Sequence, residues 1–181
     1  LLVISGLPTD ASHRFAYYLD EIREMVTGPE TEGVIEEPER EMLEAVLDFS
    51  ELVVRQVSTP RTEIIAVPED TNIEEALRLS VEHAITKLPV YQDDLDEITG
   101  VVHLRDLVLA VQEERTGAHV LQEISREPFF VPDSLSVRNL LRQFRDKRVH
   151  IAIVMDEFGG TSGLITLEDL MEEIVGDVKG T

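Results

Sequence analysis

Apolar residues recur at Phe15, Leu19, Ile22 and Val26, a spacing that predicts one amphipathic helix, and Gly28-Pro29 stops it. A glutamate-rich linker, Glu30 to Gly33, leads into a second predicted helix from about Pro38 to Arg55. Met42, Val46, Phe49 and Val53 form its apolar stripe, with Glu37, Glu41, Glu44, Asp48 and Glu51 along the opposite side. From Ser58 the period changes. Ser58-Thr59-Pro60-Arg61-Thr62 is rich in breakers and predicts the approach to a short strand, Ile64 to Val67. A Thr71-x-x-Glu74 capping box then opens a helix carrying Ile73, Ala76, Leu77 and Val81. A strand Leu88 to Tyr91, an acidic turn Asp93 to Glu97, a strand Ile98 to Leu104 and a helix from Arg105 to about Gln112 complete the order β, α, β, β, α.

The same order and many of the same residues then return. Val67-Pro68 matches Val131-Pro132, Leu77-Arg78 matches Leu141-Arg142, and Val90 matches Val154, each displaced by 64 positions. Beyond the hairpin the displacement is 63: Gly100 with Gly163, Leu104 with Leu167, Asp106 with Asp169. One residue is lost in the turn. The chain therefore holds two copies of one unit of about 55 residues. Each is too small to bury both faces of its sheet, so the copies are expected to pack sheet against sheet about a pseudo-twofold axis, with two clefts. The expected fold is α+β: an N-terminal helical bundle over residues 1–57, a first repeat over 58–118 and a second over 119–181.

Composition narrows the chemistry. The 181 residues are 43% hydrophobic with 5% aromatics and no Trp, which predicts an aliphatic core. Without cysteine there are no disulfides, thiolate metal sites or Cys nucleophiles, and a cytoplasmic setting is expected. A net charge of −21 argues against a nucleic-acid surface. Between Asp20 and Asp48 lie eleven acidic and two basic residues, either a solvated face or a cation-sensitive one whose carboxylates repel until a divalent ion bridges them. Glu37, Glu41, Glu44, Asp48 and Glu51 are accordingly candidate weak magnesium ligands, without the Gly-broken spacing of a calcium loop. The apolar start at Leu1 to Ile4 falls far short of the roughly 20 residues a membrane span needs, so a soluble chain is expected, its first residues the stub of something removed.

The stretch Asp156 to Asp169, DEFGGTSGLITLED, reads as a strand end, a glycine turn, a short strand and a helix start. It brings the hydroxyl of Thr166 and the carboxylate of Asp169 to the free N–H groups of a first helical turn, a place to hold a nucleotide. Simpler roles stand beside that one: Asp169 as an acid favouring the helix dipole, Thr166 as an N-cap, His150 as an ordinary strand histidine. Gly159-Gly160 is a hairpin turn rather than a phosphate loop. In the first repeat His103 replaces the threonine while Asp106 keeps the carboxylate.

The strings GVIEEPEREMLEAVL, TPRTEIIAV, KLPVY, PFFVP and RVHIAIVMDEFGGTSGLITLEDLMEEIVG span roughly Gly33 to Gly176. They resemble the cystathionine-beta-synthase (CBS) domain pair of the CorC/cyclin M magnesium transporters, formerly filed as haemolysins. Ser58 departs from the family, which commonly has Met before Thr-Pro-Arg. The resemblance implies the cytosolic regulatory region of a membrane transporter: an acidic helical bundle and a CBS pair, linked to a transmembrane domain, dimerising through the CBS pairs at the cytoplasmic face of the membrane. It also implies ATP binding with Mg2+ in one of the two clefts. A carboxylate in a first helical turn accepts from both ribose hydroxyls and a nearby hydroxyl or helix N-terminus donates to phosphate; the second-repeat cleft has both groups, Thr166 and Asp169, whereas the first has His103 at the threonine position, so the second is the better candidate. By analogy with nucleotide-binding CBS pairs, Thr59, Thr62, Ile64, Ile65, Val149, His150, Ile165 and Glu168 complete the wall, and Arg61, Lys147 or Arg148 reaches the phosphates. Two other readings remain: a ligand-free structural dimerisation module, and a nucleotide-processing enzyme, against which stands the absence of a Walker loop and of paired His and acid at catalytic spacing.

Overall fold

The computed structural model describes residues 51–179, so the predicted Phe15 to Val26 helix and most of the acidic helix lie outside the described residues. The acidic helix does not continue to Arg55. Leu52 and Val53 are non-helical, and a separate short helix, α1 (Val54–Val57), follows. Their main chain is recruited elsewhere. Val137 N–H donates to the Leu52 carbonyl at 2.8 Å, while Val54 and Arg55 N–H groups donate to the carbonyls of Leu135 and Asp133 at 2.8 and 3.0 Å.

Next come β1 (Thr59–Pro60) and a 3₁₀ turn, Arg61–Glu63, whose closing bond runs from Ile64 N–H to the Arg61 carbonyl at 3.2 Å. That turn shortens the expected Ile64 to Val67 strand to its last residue, so β2 is Val67–Pro68. The remaining elements are α2 (Ile73–Glu82), β3 (Lys87–Tyr91), β4 (Ile98–His103), α3 (Leu104–Gln112), α4 (Val120–Ile124), β5 (Phe130–Pro132), α5 (Val137–Lys147), β6 (Ile151–Met155), β7 (Thr161–Thr166) and α6 (Leu167–Lys179). The β-α-β-β-α order occurs twice, as β2-α2-β3-β4-α3 and as β5-α5-β6-β7-α6. Helix α4, between the repeats, has no signature in the repeat pattern.

The two copies repeat each other in fine detail. Asn72 caps α2 by accepting from Glu75 N–H at 2.8 Å, and Ser136, 64 positions later, caps α5 by accepting from Asn139 N–H at 3.1 Å. The cap is thus one residue beyond the expected Thr71, whose own N–H closes a turn onto the Pro68 carbonyl at 3.1 Å. Ala84 and Arg148, again 64 apart, both take the left-handed conformation after their helices, with φ of 54° and 55°.

One sheet has the order β2-β3-β4 and the other β1-β7-β6-β5. Strand β2 is parallel to β3, and β3 is antiparallel to β4, as a hairpin requires. Strand β1 belongs by sequence to the leader of the first repeat, yet it pairs antiparallel with β7 of the second, Thr59 opposite Leu164 and Pro60 opposite Gly163. The leader of the second repeat does the reverse: Arg126 forms a bridge with Val101 in β4. Leu164 and Val101 are 63 apart, so Thr59 and Arg126 occupy equivalent registers. Counted back from Val67 and Val131, the first leader is three residues longer, the length of the 3₁₀ turn. Gly100 makes room for the second leader, since a Cβ there would lie 2.7 Å from that of Ser125.

Among the described residues the chain divides into two compact units, 59–130 with 153–164, and 51–58 with 131–152 and 165–179. The first has an aliphatic core of Val67, Ile73, Ala76, Leu88, Val90, Val102, Leu107, Ala110, Val120 and Leu121. In the second, α5 buries Val137, Leu140, Leu141 and Phe144, the i, i+3, i+4, i+7 face of a helix. No helix of the described residues is long and apolar enough to cross a membrane. Phe144→Ala should lower the unfolding free energy by about 3–5 kcal/mol and Ser136→Ala by about 1 kcal/mol, as read from urea denaturation midpoints.

Candidate functional site

The end of β7 and the start of α6 form the junction that the sequence singles out. Thr166 accepts a hydrogen bond from Asp169 N–H at its Oγ1, 3.1 Å away, and so caps the helix. The bond uses an acceptor lone pair and leaves the hydroxyl proton free to donate. Beside it, Leu167 N–H donates to the His150 carbonyl at 2.9 Å, which fixes the approach of the Val149-His150 segment to the helix start. Thr166, Glu168, Asp169, Val149 and His150 are half-buried, whereas Ile165 is fully buried and its side chain belongs to the core. Two acids, Glu168 and Asp169, stand in the first turn of α6, where the helix dipole favours negative charge.

These six residues lie in one compact unit; Thr59, Thr62, Ile64 and Ile65 lie in the other. Thr59 is half-buried in β1, paired with Leu164. Thr62 is exposed in the 3₁₀ turn, while Ile64 and Ile65 are half-buried, Ile65 against the core of its unit. Of the five acidic candidates, Glu37, Glu41, Glu44 and Asp48 lie outside the described residues, and Glu51 is exposed. Among the described residues no group of three or more His, Asp or Glu side chains is placed to hold a metal ion.

Of the basic residues considered for phosphate, Arg61 is already engaged. Its guanidinium donates to Asp96 in the β3–β4 turn and, at 3.0 Å, to the Thr161 carbonyl in β7. Asp96 also accepts from Thr161 N–H at 2.9 Å. That N–H, and then the Arg61 guanidinium, holds the Asp96 carboxyl below the ordinary carboxylate range against a smaller opposing effect of desolvation. In the β6–β7 turn Asp156 accepts from the N–H groups of Phe158 and Gly160, both at 2.9 Å. A Cβ on Gly160 would lie 3.1 Å from both Asp156 Oδ2 and Asp96 Oδ1, and Gly159 has φ +82°. The glycines therefore make a turn gripped by carboxylates. Sequence reading missed this clasp because Asp96 looked like one acid among several in a turn. Arg148 is exposed at the left-handed end of α5.

The first-repeat junction has the same main-chain frame, with Leu104 N–H donating to the Thr86 carbonyl at 2.9 Å. Its side chains differ. His103, at the N-cap of α3, makes no side-chain cap bond. Asp106 accepts on Oδ2 from Arg126 Nε at 3.2 Å and Nη2 at 3.0 Å.

A family model described as the CBS domain matches residues 54–113 and 121–176. The chain is 35% identical over 160 residues to the magnesium and cobalt efflux protein CorC of Escherichia coli (strain K12), covering 88% of this chain and 54% of that one. It is 39% identical over 161 residues to a DUF21 domain-containing protein of Arabidopsis thaliana, covering 88% of this chain and 25% of that one. It thus spans from about a quarter to about half the length of the curated relatives it matches. Among solved structures, the CBS domain of the bacterial CNNM/CorC family Mg2+ transporter in complex with ATP is 42% identical with a TM-score of 0.70, covering 76% of this chain and 97% of that one.

Because the folded state favours ionised Asp96, its contribution is complete above the unfolded carboxylate range and is lost as pH falls through the lowered native value. The melting temperature of Asp96→Asn should therefore lie below that of the parent at neutral pH, with the gap closing in acid. A gap that does not change with pH would remove the clasp as its cause.

Proposed function

This chain belongs to the CBS-domain family, as a CBS pair of the CorC/CNNM magnesium-transporter group, and we propose that it is the nucleotide-sensing regulatory part of a membrane transporter of divalent cations. The observation that carries this reading is the Thr166–Asp169 junction: a capping hydroxyl with its proton still to give, beside a half-buried carboxylate in a first helical turn. The 42% identity to a CBS domain solved in complex with ATP supports it.

In this reading the two repeats, 58–118 and 119–181, pack sheet to sheet about a pseudo-twofold axis and take one Mg-ATP between them. Asp169 accepts from the ribose hydroxyls, and the Thr166 hydroxyl with the α6 N-terminus meets phosphate. Ile64, Ile65 and Val149 offer apolar edges to the adenine, with Thr59, Thr62, His150 and Glu168 around them and Ile165 contributing main chain. With Arg61 engaged by Asp96, the exposed Lys147 or Arg148 is left as the cation for phosphate. Magnesium removes two charges from the nucleotide, which a chain of net charge −21 would otherwise repel. The role is binding and coupling, not catalysis. The pairs dimerise, and residues 1–57 pass the bound state to a transmembrane domain, with the module on the cytoplasmic face.

Calorimetry in excess magnesium tests the site: Thr166→Ile or Asp169→Ala should weaken ATP binding at least about tenfold, a loss of about 1.4 kcal/mol. ATP at 100 times its Kd should stabilise the parent by about 2.7 kcal/mol in thermal melting. Unchanged affinity in both variants would remove the assignment, and no melting shift would leave a structural dimerisation module. Scattering profiles with and without millimolar magnesium, nucleotide absent, should differ if Glu37, Glu41, Glu44, Asp48 and Glu51 bind the ion. Superimposable profiles would return that acidic face to solvation.

A further inference from the structure

We propose that Arg126 is a specificity-determining residue, an internal counter-ion that bars nucleotide from the first-repeat junction and limits the chain to one nucleotide per CBS pair. The inference rests on the reading of the Thr166–Asp169 junction as nucleotide-binding. The two junctions share one main-chain frame: Leu104 N–H to the Thr86 carbonyl and Leu167 N–H to the His150 carbonyl are both 2.9 Å, with Asp106 and Asp169 each three positions beyond the last strand residue. A carboxylate able to accept a ribose diol is therefore present twice.

The difference lies in what the leader brings to each. On β7 the leader residue is Thr59, opposite Leu164. On β4, at the equivalent register, it is Arg126, opposite Val101 and held there by two main-chain bonds of 2.9 Å, one in each direction. From that anchored position the guanidinium places both Nε and Nη2 on Asp106 Oδ2, at 3.2 and 3.0 Å. A diol that needs both carboxylate oxygens meets one already taken by two donors, behind a longer side chain than threonine. His103 compounds the loss by replacing the hydroxyl that Thr166 supplies. Asp169, by contrast, has no ion pair among the described residues. Ser125 packs against Gly100, so the second leader has little freedom to withdraw and take the arginine with it.

Arg126→Thr restores at β4 the residue type found at β7 and is expected to raise Mg-ATP bound per chain, measured by calorimetry and equilibrium dialysis, from one to two. Affinity at the freed junction should improve about fivefold or more, the scale of releasing an exposed ion pair. Arg126→Thr with Asp169→Ala should bind one, now at the first junction, and Arg126→Thr with Asp106→Ala should also bind one, at the second. Arg126→Gln, which keeps side-chain length without the charged fork, should show the same gain and serves if the threonine variant melts early. A stoichiometry that stays at one in both folded variants overturns the proposal. If the parent binds no nucleotide, the reading of the second junction fails separately: a gain from none to one in Arg126→Thr would still support the barrier, and none in either variant would overturn it.

Discussion

The hydrogen bonding of each leader to the strand of the other repeat is the constraint on which the remaining features depend. A three-stranded sheet leaves unpaired N–H and C=O groups along its last strand, an edge that invites foreign pairing. Here Thr59 and Pro60 cover part of that edge on β7, and Arg126 covers the equivalent point on β4. Proline is tolerated in β1 because the strand is outermost in its sheet, where no further ladder needs its missing N–H. The leader is thereby delivered along the strand that ends at Thr166.

Within that frame the repeats keep their main-chain geometry and change their side chains. Both second helices begin with a carbonyl from the segment before the hairpin satisfying their first N–H, and both first helices end on a left-handed residue with φ of 54° or 55°. These features decide whether the chain folds, since an orphaned buried N–H or a lost cap costs about 1 kcal/mol or more. Thr59 against Arg126 carries no such cost, and His103 in place of Thr166 gives up one helix cap, so the side chains at the junctions differ while the main-chain frame is kept. One junction keeps a donor and an acid with no ion pair among the described residues, while the other pairs its acid with Arg126.

The clasp of Arg61, Asp96 and Asp156 shows how an acidic chain uses its few cations. With a net charge of −21, a guanidinium in the leader finds a carboxylate near at hand. Asp96 takes it together with the N–H of Thr161, while Asp156 holds the neighbouring glycine turn. The 3₁₀ turn that presents Arg61 is also the three-residue excess of the first leader over the second. One local insertion thus accounts for the shortened β2 and for the cation at the turn.

Much of this was legible in the sequence alone. The displacements of 64 and 63 located both copies, the loss of one residue in the hairpin, and the equivalence of Asp106 with Asp169, because repeated apolar periods and helix starts are local and additive. The Thr166 cap followed from its spacing to Asp169, three residues on. Long-range pairing was not legible: no local pattern says that Thr59 pairs with Leu164, that Arg126 reaches Asp106, or that Arg61 is taken by Asp96. The same limit explains the errors at boundaries. The predicted helix is broken at Leu52 and Val53, where the main chain bonds to Asp133, Leu135 and Val137, some eighty residues away, and the Ile64 to Val67 strand is cut back to Val67–Pro68 behind a 3₁₀ turn. Sequence by itself determined the repeat, the β-α-β-β-α elements of each copy and the candidate acid and hydroxyl; tertiary structure decided the leader strand β1 and which charges are satisfied by the chain itself, because a hydrogen bond between distant residues depends on register and distance that no local period encodes.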